Sequence, residues 1–226
     1  MMSEDPQPTS FHSMKTSPPI IALARRGFTL IELLVVIVII AILVSLAVPA
    51  INSVMLKAQV LKIKTTMKDI QVAIGHYRTE YNRYPIDASS AGGESDLDPF
   101  LTDGNSEQTI NILMSNVDTS GASTNMNPKQ IKFLDLPLAK NNQFGIVDPS
   151  GGSNDGTPVQ LVDNWGLPYK IALDTNYDNR VQNPDKSNAD QTISSQAPEF
   201  LGQTTAIYSF GPDRTEFTKD DIVSWR

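Results

Sequence analysis

The chain has 226 residues, a net charge of −7 and no cysteine. The acidity argues against a surface built to hold nucleic acid, which needs clustered Lys and Arg to displace counterions, and the missing cysteine excludes disulfides, thiolate metal sites and a cysteine nucleophile. His12 and His76 lie too far apart to be read as a zinc-type cluster, and there is no P-loop, Gly-x-Ser-x-Gly elbow or dinucleotide fingerprint, so nothing points to an enzyme.

Residues 1–27 contain Pro6, Pro8, Pro18 and Pro19 and read as an unstructured leader, with Met14 as an alternative start. From Phe28 to Val48 the only charge is Glu32. A helix over this stretch would span roughly 31 Å, the thickness of a bilayer core. Arg25 and Arg26 immediately before it predict a cytoplasmic N-terminus and an exported remainder. An acid within such a segment costs about 3 kcal/mol on insertion scales and calls for a partner. A cleaved secretory signal ending near Ser45-Leu46-Ala47 and a plain anchor are the alternatives, but neither has a use for Glu32. Pro49 is expected to kink or loosen the helix.

Beyond Pro49 the pattern becomes amphipathic. Val60, Ile63, Met67, Ile70, Ile74, Tyr77, Tyr81 and Tyr84 recur at alternating spacings of three and four, one apolar stripe on a helix that Pro85 should end. Lys57, Lys62, Lys64, Lys68 and Arg78 lie mostly off it. The spacing also suits a coiled coil, but the aromatic end of the stripe favours docking on the chain's own C-terminal part. His76 falls on the solvent side, and Gly75 costs about 1 kcal/mol of helix propensity relative to Ala.

Residues 85–160 are rich in Ser, Asn, Asp, Gly and Pro, and read as a loop-rich variable insert with a short helix marked by Ile110, Leu113, Met114 and Val117. Phe133, Leu134, Leu136 and Leu138 follow no clear period. Order returns over 161–226. Tyr169, Ile171 and Leu173 alternate with Lys170 and Ala172 as a half-buried strand, Thr204 to Phe210 is a second strand, and Trp165 and Trp225 are candidate core plugs. Asp174, Asn176, Asp178 and Asp185 stand at positions 1, 3, 5 and 12 of an EF-hand-like loop, so a bound ion and a polar hairpin compete there. Asp213 and Asp220, seven residues apart with Thr215 and Thr218 between them, offer the hard oxygens that Ca²⁺ takes.

"RRGFTLIELLVVIVIIAIL" resembles the class III signal of type IV pilins and type II secretion pseudopilins: a basic leader ending in glycine (Gly27), then Phe28, then an apolar helix with glutamate fifth after the cut (Glu32). The resemblance implies cleavage between Gly27 and Phe28 by prepilin peptidase, methylation of the Phe28 amine, and a filament in which Glu32 neutralises the Phe28 amine of a neighbouring copy. It also implies an α+β fold, one long helix over 28–84, transmembrane over 28–48, packed on a small antiparallel C-terminal sheet. The Tyr81-Asn82-Arg83-Tyr84-Pro85 ending, the Trp165-Gly166-x-Pro168-Tyr169 segment and the C-terminal "GPD…DDI…W" resemble the major pseudopilin of type II secretion. On that likeness Asp213 and Asp220 would bind calcium through side chains, Phe210 and Thr215 through carbonyls, and Thr218 as a further oxygen donor. Arg214 departs from the pattern, which often has glycine there. The implied partners are the peptidase/methylase, copies of the chain, minor pseudopilins and an inner-membrane assembly platform; the implied location is the inner membrane, with a periplasmic domain, and then the pseudopilus. A type IV pilin or minor pseudopilin, and a membrane-anchored calcium-dependent envelope module, are the competing identities. The resemblance covers residues 25–85 and 161–226.

Overall fold

The computed structural model describes residues 27–86, 103–115, 126–147 and 159–226. The leader up to Arg26, Val117 and the polar loops "SSAGGESD" and "DPSGGSNDGTP" lie outside the described residues. Two compact units divide the chain, residues 1–50 and 51–226, and the first helix, α1 (Leu30–Tyr81), begins in one and ends in the other. Pro49 does not interrupt its helical span.

In the first unit every described side chain is exposed, including Phe28, Leu30 and the aliphatic run as far as Val48. A helix apolar all round and covered by nothing from its own unit is long and apolar enough to cross a membrane.

In the second unit the predicted stripe is the buried face of α1. Ile63, Met67, Ile70, Ile74 and Tyr77 are at most 2% exposed and share one core with Ile171, Leu173, Ile207 and Ile222. Docking on the chain's own sheet is therefore the arrangement adopted, and each buried aliphatic contributes about 1.5–3 kcal/mol. At its end, Tyr77 packs against Tyr81 and Phe133 with ring centroids 4.8 and 5.4 Å away. The Tyr81 hydroxyl donates to Asn127 Oδ1 at 2.7 Å. The helix stops at Tyr81, before Pro85 is reached, because Asn82 takes a left-handed φ of 52° and its amide closes on the Arg78 carbonyl. Gly75 meets nothing within 4 Å of where a Cβ would sit, so close packing does not explain it. Gly75→Ala is expected to stabilise this unit by up to about 1 kcal/mol, seen as a rise of a few degrees in melting temperature.

The strands are short: β1 (Gly145–Val147), β2 (Gln160–Val162), β3 (Lys170–Leu173), β4 (Val181–Gln182), β5 (Phe200–Leu201), β6 (Thr205–Ser209) and β7 (Ile222–Val223). The central sheet runs β3-β6-β7, all antiparallel, with Ile171 opposite Ile207 and Ser209 opposite Ile222. β3 is buried on both faces rather than one. Tyr169, Ile171 and Leu173 enter the main core, while Ala172 joins Ala206 and Val181 in a second cluster that Trp225 partly covers. Trp165 packs against the main core, half-buried.

The segment read as a variable insert supplies core as well as loops. α2 (Asp103–Met114) buries Ile110, Ile112 and Leu113, and Met126, Leu134 and Ile146 enter the same cluster. Two buried asparagines hold this layer in place. Asn127 donates to the Ile112 and Ile131 carbonyls, and Asn111 exchanges two hydrogen bonds with the backbone of Val159.

Candidate functional site

The N-terminal constellation begins with Gly27 and Phe28, the latter 76% exposed, ahead of α1. Thr29 caps the helix. Its amide and hydroxyl both donate to Glu32 Oε2, at 2.8 and 2.7 Å, and the Glu32 amide is 3.3 Å from Thr29 Oγ1. Thr29-Leu30-Ile31-Glu32 is thus a capping box, which satisfies helix-end donors that an apolar medium could not. The signal was in plain view, Thr-x-x-Glu before an apolar run, and is a second use for the acid that the sequence reading passed over. Both hydrogen bonds fall on one carboxylate oxygen, so the cap leaves Oε1 for a further donor.

The C-terminal turn follows β6. Gly211 has φ 74°, and a Cβ there would lie 2.3 Å from the Asp220 carbonyl oxygen, so the turn requires glycine at this point. Asp220 ties the turn across its mouth: Oδ2 accepts the Asp213 amide at 3.1 Å and Oδ1 the Thr218 hydroxyl at 2.8 Å. That hydroxyl also lies 3.1 Å from the Thr215 carbonyl and 3.3 Å from Asp221 Oδ1. The Asp213 carboxylate instead receives the Thr215 amide of its own turn, at 2.8 Å. Phe210 sits at the end of β6, half-buried, with its ring 5.8 Å from Lys170 Nζ. Arg214 has φ 60°, so the departure from glycine noted in the sequence is carried as backbone strain. Arg214→Gly should relieve that strain against a larger unfolded-state entropy, a net gain of about 0.5 kcal/mol measurable by denaturant titration.

Carboxylates outnumber cations in this turn, with Asp213, Glu216, Asp220 and Asp221 against Arg214 and Lys219. Burial pushes the Asp221 carboxyl up to about 7, and the adjacent Asp220 charge adds to the shift. Burial also acts on Asp220, but hydrogen bonds from the Thr218 hydroxyl and the Asp213 amide outweigh it and hold the group below the usual carboxylate range. Among the described residues no three His, Cys, Asp or Glu side chains form a metal-holding group. A cation here would therefore rely on mixed hard donors: the Thr218 hydroxyl and the three oxygens around it, from the Asp220 and Asp221 carboxylates and the Thr215 carbonyl. These are hard oxygens of the kind calcium takes, and Asp221, which the sequence placed beside the loop, has Oδ1 3.3 Å from the Thr218 hydroxyl.

Of the EF-hand-like residues, Asp174, Asn176 and Asp178 share one turn, whereas Asp185 is bonded to the C-terminus. Asp174 accepts the Asp178 and Asn179 amides, Asn176 Oδ1 accepts the Asp178 amide, and Asp178 is paired with Arg180. Asp185 is elsewhere, accepting Trp225 Nε1 at 2.7 Å and both the Nε and Nη2 of Arg226. Nor is the stretch a hairpin, since β3 pairs with β6 and β4 with β5. The spacing rule failed here because the short turn consumes its own carboxylates through local amides.

Asp163 went unremarked in the sequence. It is fully buried; Oδ1 accepts the Trp165 and Leu167 amides and Oδ2 the Ser209 hydroxyl at 2.6 Å. The Trp165-Gly166-Leu167-Pro168 turn is shaped by this carboxylate and fastened through it to β6. An acid two residues before Trp-Gly was the available signal.

A family described as the prokaryotic N-terminal methylation motif matches residues 23–48. Type II secretion system core protein G of Klebsiella pneumoniae is 39% identical over 201 residues, covering 89% of this chain and 94% of its own length. The protein of the same name from Klebsiella michiganensis is 40% identical over 149 residues, 65% of this chain and 97% of its own. The type IV major pilin protein PilE of Neisseria gonorrhoeae is 31% identical over 157 residues, 64% of this chain and 92% of its own. No solved structure matches the chain.

Proposed function

This chain belongs to the core protein G family of type II secretion pseudopilins, within the wider type IV pilin-like group, and from that membership we propose that it is the repeating structural subunit of a pseudopilus. It is a substrate of processing enzymes rather than an enzyme itself. Prepilin peptidase cuts after Gly27 and the new Phe28 amine is methylated. The mature subunit waits in the inner membrane with residues beyond the apolar run in the periplasm, and then enters a filament with its own copies and minor pseudopilins on an inner-membrane platform.

One observation carries this reading. The apolar helix has no cover within its own unit, and its one acid sits fixed a single turn from the processed residue. An uncovered apolar helix needs lipid first and neighbouring helices afterwards. A free amine titrates near ~8, so the Phe28 amine is cationic at neutral pH. Its pairing with Glu32 of the next copy offsets the desolvation of both charges in the filament interior. The C-terminal turn is proposed to hold calcium through the oxygens of Asp220, Asp221, Thr218 and Thr215, with Asp213 and Phe210 closing the turn. The ion would offset the excess of carboxylates over cations in this turn and so stiffen a region that no disulfide can staple.

The test is to express the full chain with a type II secretion apparatus and examine sheared surface filaments. Filaments of this chain beginning with methylated Phe28, together with restored export in a strain lacking its own core protein G, are expected. A chain that retained residues 1–27 and stayed in the membrane would refute the proposal. Filaments that support twitching or adhesion instead of export would favour the pilin relatives' role.

A further inference from the structure

β3 and β6 are antiparallel neighbours, with Leu173 opposite Thr205, a pairing that a two-residue turn could close. Instead the chain leaves the sheet over residues 174–204, forming β4, a 3₁₀ turn (Pro184–Ser187), a short helix (Gln191–Ser194) and β5 before it returns. Apolar burial does not account for this excursion. Among its described residues only Val181 and Pro184 are buried apolar ones, whereas Asp174, Thr175, Asn183, Asp185 and Asn188 are buried and polar. Burying polar groups is unfavourable unless each is hydrogen-bonded, so the partners they take show what the excursion does. Asp174 and Asn183 are used within it, on the amides of Asp178, Asn179 and Asp185 and on the Pro198 carbonyl. Asp185 and Asn188 reach out of it, both to residues 217–226.

At the chain terminus Asp185 holds Trp225 and Arg226. At the C-terminal turn Asn188 Nδ2 donates to the Thr218 carbonyl at 2.8 Å, and the Ala189 amide donates to the Phe217 carbonyl at 2.7 Å. The Asn188 side chain is itself fixed, because its Oδ1 accepts the Asp190 amide at 2.9 Å. Phe217 has φ 64°, a left-handed value that a bulky residue keeps only where its surroundings impose it. These contacts set the backbone of Phe217 and Thr218, and so aim the Thr218 hydroxyl at Thr215, Asp220 and Asp221. The Lys219–Asp190 pair, 3.8 Å apart with the lysine exposed, adds little.

We infer that the excursion between β3 and β6 is a clamp that holds the C-terminal turn in its ion-binding shape before any ion arrives, with Asn188 as its positioning residue. The inference rests on the calcium reading above and adds a determinant of affinity that lies outside the donor oxygens. A turn with Arg214 and Phe217 both in left-handed conformations does not keep that shape by its own preference. An ion that had to order the turn itself would bind more weakly by the cost of that ordering, whereas a clamped turn has met it during folding. Groups that orient metal ligands without touching the metal change affinity by roughly tenfold to a hundredfold when removed.

The test uses the full chain in detergent micelles, as wild type, Asn188→Ala, Asn188→Ser and Asn111→Ala. Serine keeps an acceptor for the Asp190 amide but is too short to reach the Thr218 carbonyl, so it releases the turn with the least disturbance and stands in if the alanine variant does not fold. Asn111→Ala removes another buried asparagine that bonds to backbone, in α2, and controls for a change that only destabilises. Calcium titration by calorimetry is expected to show affinity about tenfold weaker in both Asn188 variants and within about twofold of wild type in Asn111→Ala. Amide exchange over residues 211–221 in chelator is expected to be slow in wild type and in Asn111→Ala, and about tenfold faster in the Asn188 variants. Saturating calcium should restore the protection. Unchanged calcium affinity in Asn188→Ser, or a wild-type turn that exchanges freely until calcium is added, overturns the clamp and leaves the calcium reading standing. If wild type binds no calcium, the calcium reading fails and takes the inference with it.

Discussion

Replacing Glu32 by alanine is expected to leave membrane insertion and cleavage after Gly27 intact and to abolish incorporation into filaments. Alanine removes the only charge within the apolar run, so insertion becomes easier by about 2–3 kcal/mol. In the filament interior the same change leaves the neighbour's Phe28 amine unpaired, at a cost of about 3–5 kcal/mol, enough to reduce incorporation by roughly two to four orders of magnitude. The capping box complicates this one variant, because Glu32→Ala also removes the acceptor for Thr29. Two further variants separate the roles. Glu32→Gln keeps a side-chain oxygen for the cap but loses the charge, and it should fail as alanine does. Thr29→Ala keeps the charge and loses the cap hydroxyl; it should cost about 1 kcal/mol of helix stability and still enter filaments. Quantifying processed subunit in membrane and sheared-filament fractions checks all three. Normal incorporation of the glutamine variant would reduce Glu32 to a helix cap.

How much of this was legible beforehand differs between the two units. The helices announced themselves because their signals are local: an unbroken apolar run, then a three-and-four stripe whose members Ile63, Ile70, Ile74 and Tyr77 are the buried face. The two central strands were visible from alternation, although β3 proved covered on both sides because Ala172 and Ala206 are small enough to admit a second layer. What could not be read were contacts made across long sequence separations. Nothing local says that Asn127 would clamp α2, that Asp163 would fasten a turn to β6, or that Asp185 would hold Trp225 and Arg226. The same limitation misled the EF-hand-like reading, since position in a pattern says nothing of whether Asp185 points back to the loop or away to the C-terminus. At the C-terminal turn the spacing of Asp213 and Asp220 was visible. The strain at Arg214 and the burial of Asp221 were not.

The second large effect concerns that turn. Thermal melts of residues 53–226 are expected to rise with calcium and fall back in chelator. A site filled to about a hundredfold over its Kd stabilises by about 2.7 kcal/mol, or roughly 5–10 °C for a unit of this size. Asp220→Ala should remove the rise, because this carboxylate spans from Asp213 to Thr218. pH supplies an independent check in the metal-free protein. The folded Asp221 carboxyl titrates at about 7, above its unfolded range near ~4, so between those values the folded state holds a proton that the unfolded state has lost. Stability should therefore decline as pH rises from about 4 to about 7 and level off beyond. For a group only half-buried, screening limits the decline to about 1–2 kcal/mol. Asp220 works in the opposite sense, its depressed value adding stability that disappears only as pH falls below about 4. Asp221→Asn should flatten the decline. Calcium should reverse it, since a cation favours the ionised carboxylate and its binding expels the proton, making affinity weaken below about pH 7. A melt indifferent to calcium, with the pH decline intact, would mean that the turn tolerates an ionised Asp221 without a counter-ion. The N-terminal helix would then define this chain as a filament subunit without the help of a metal.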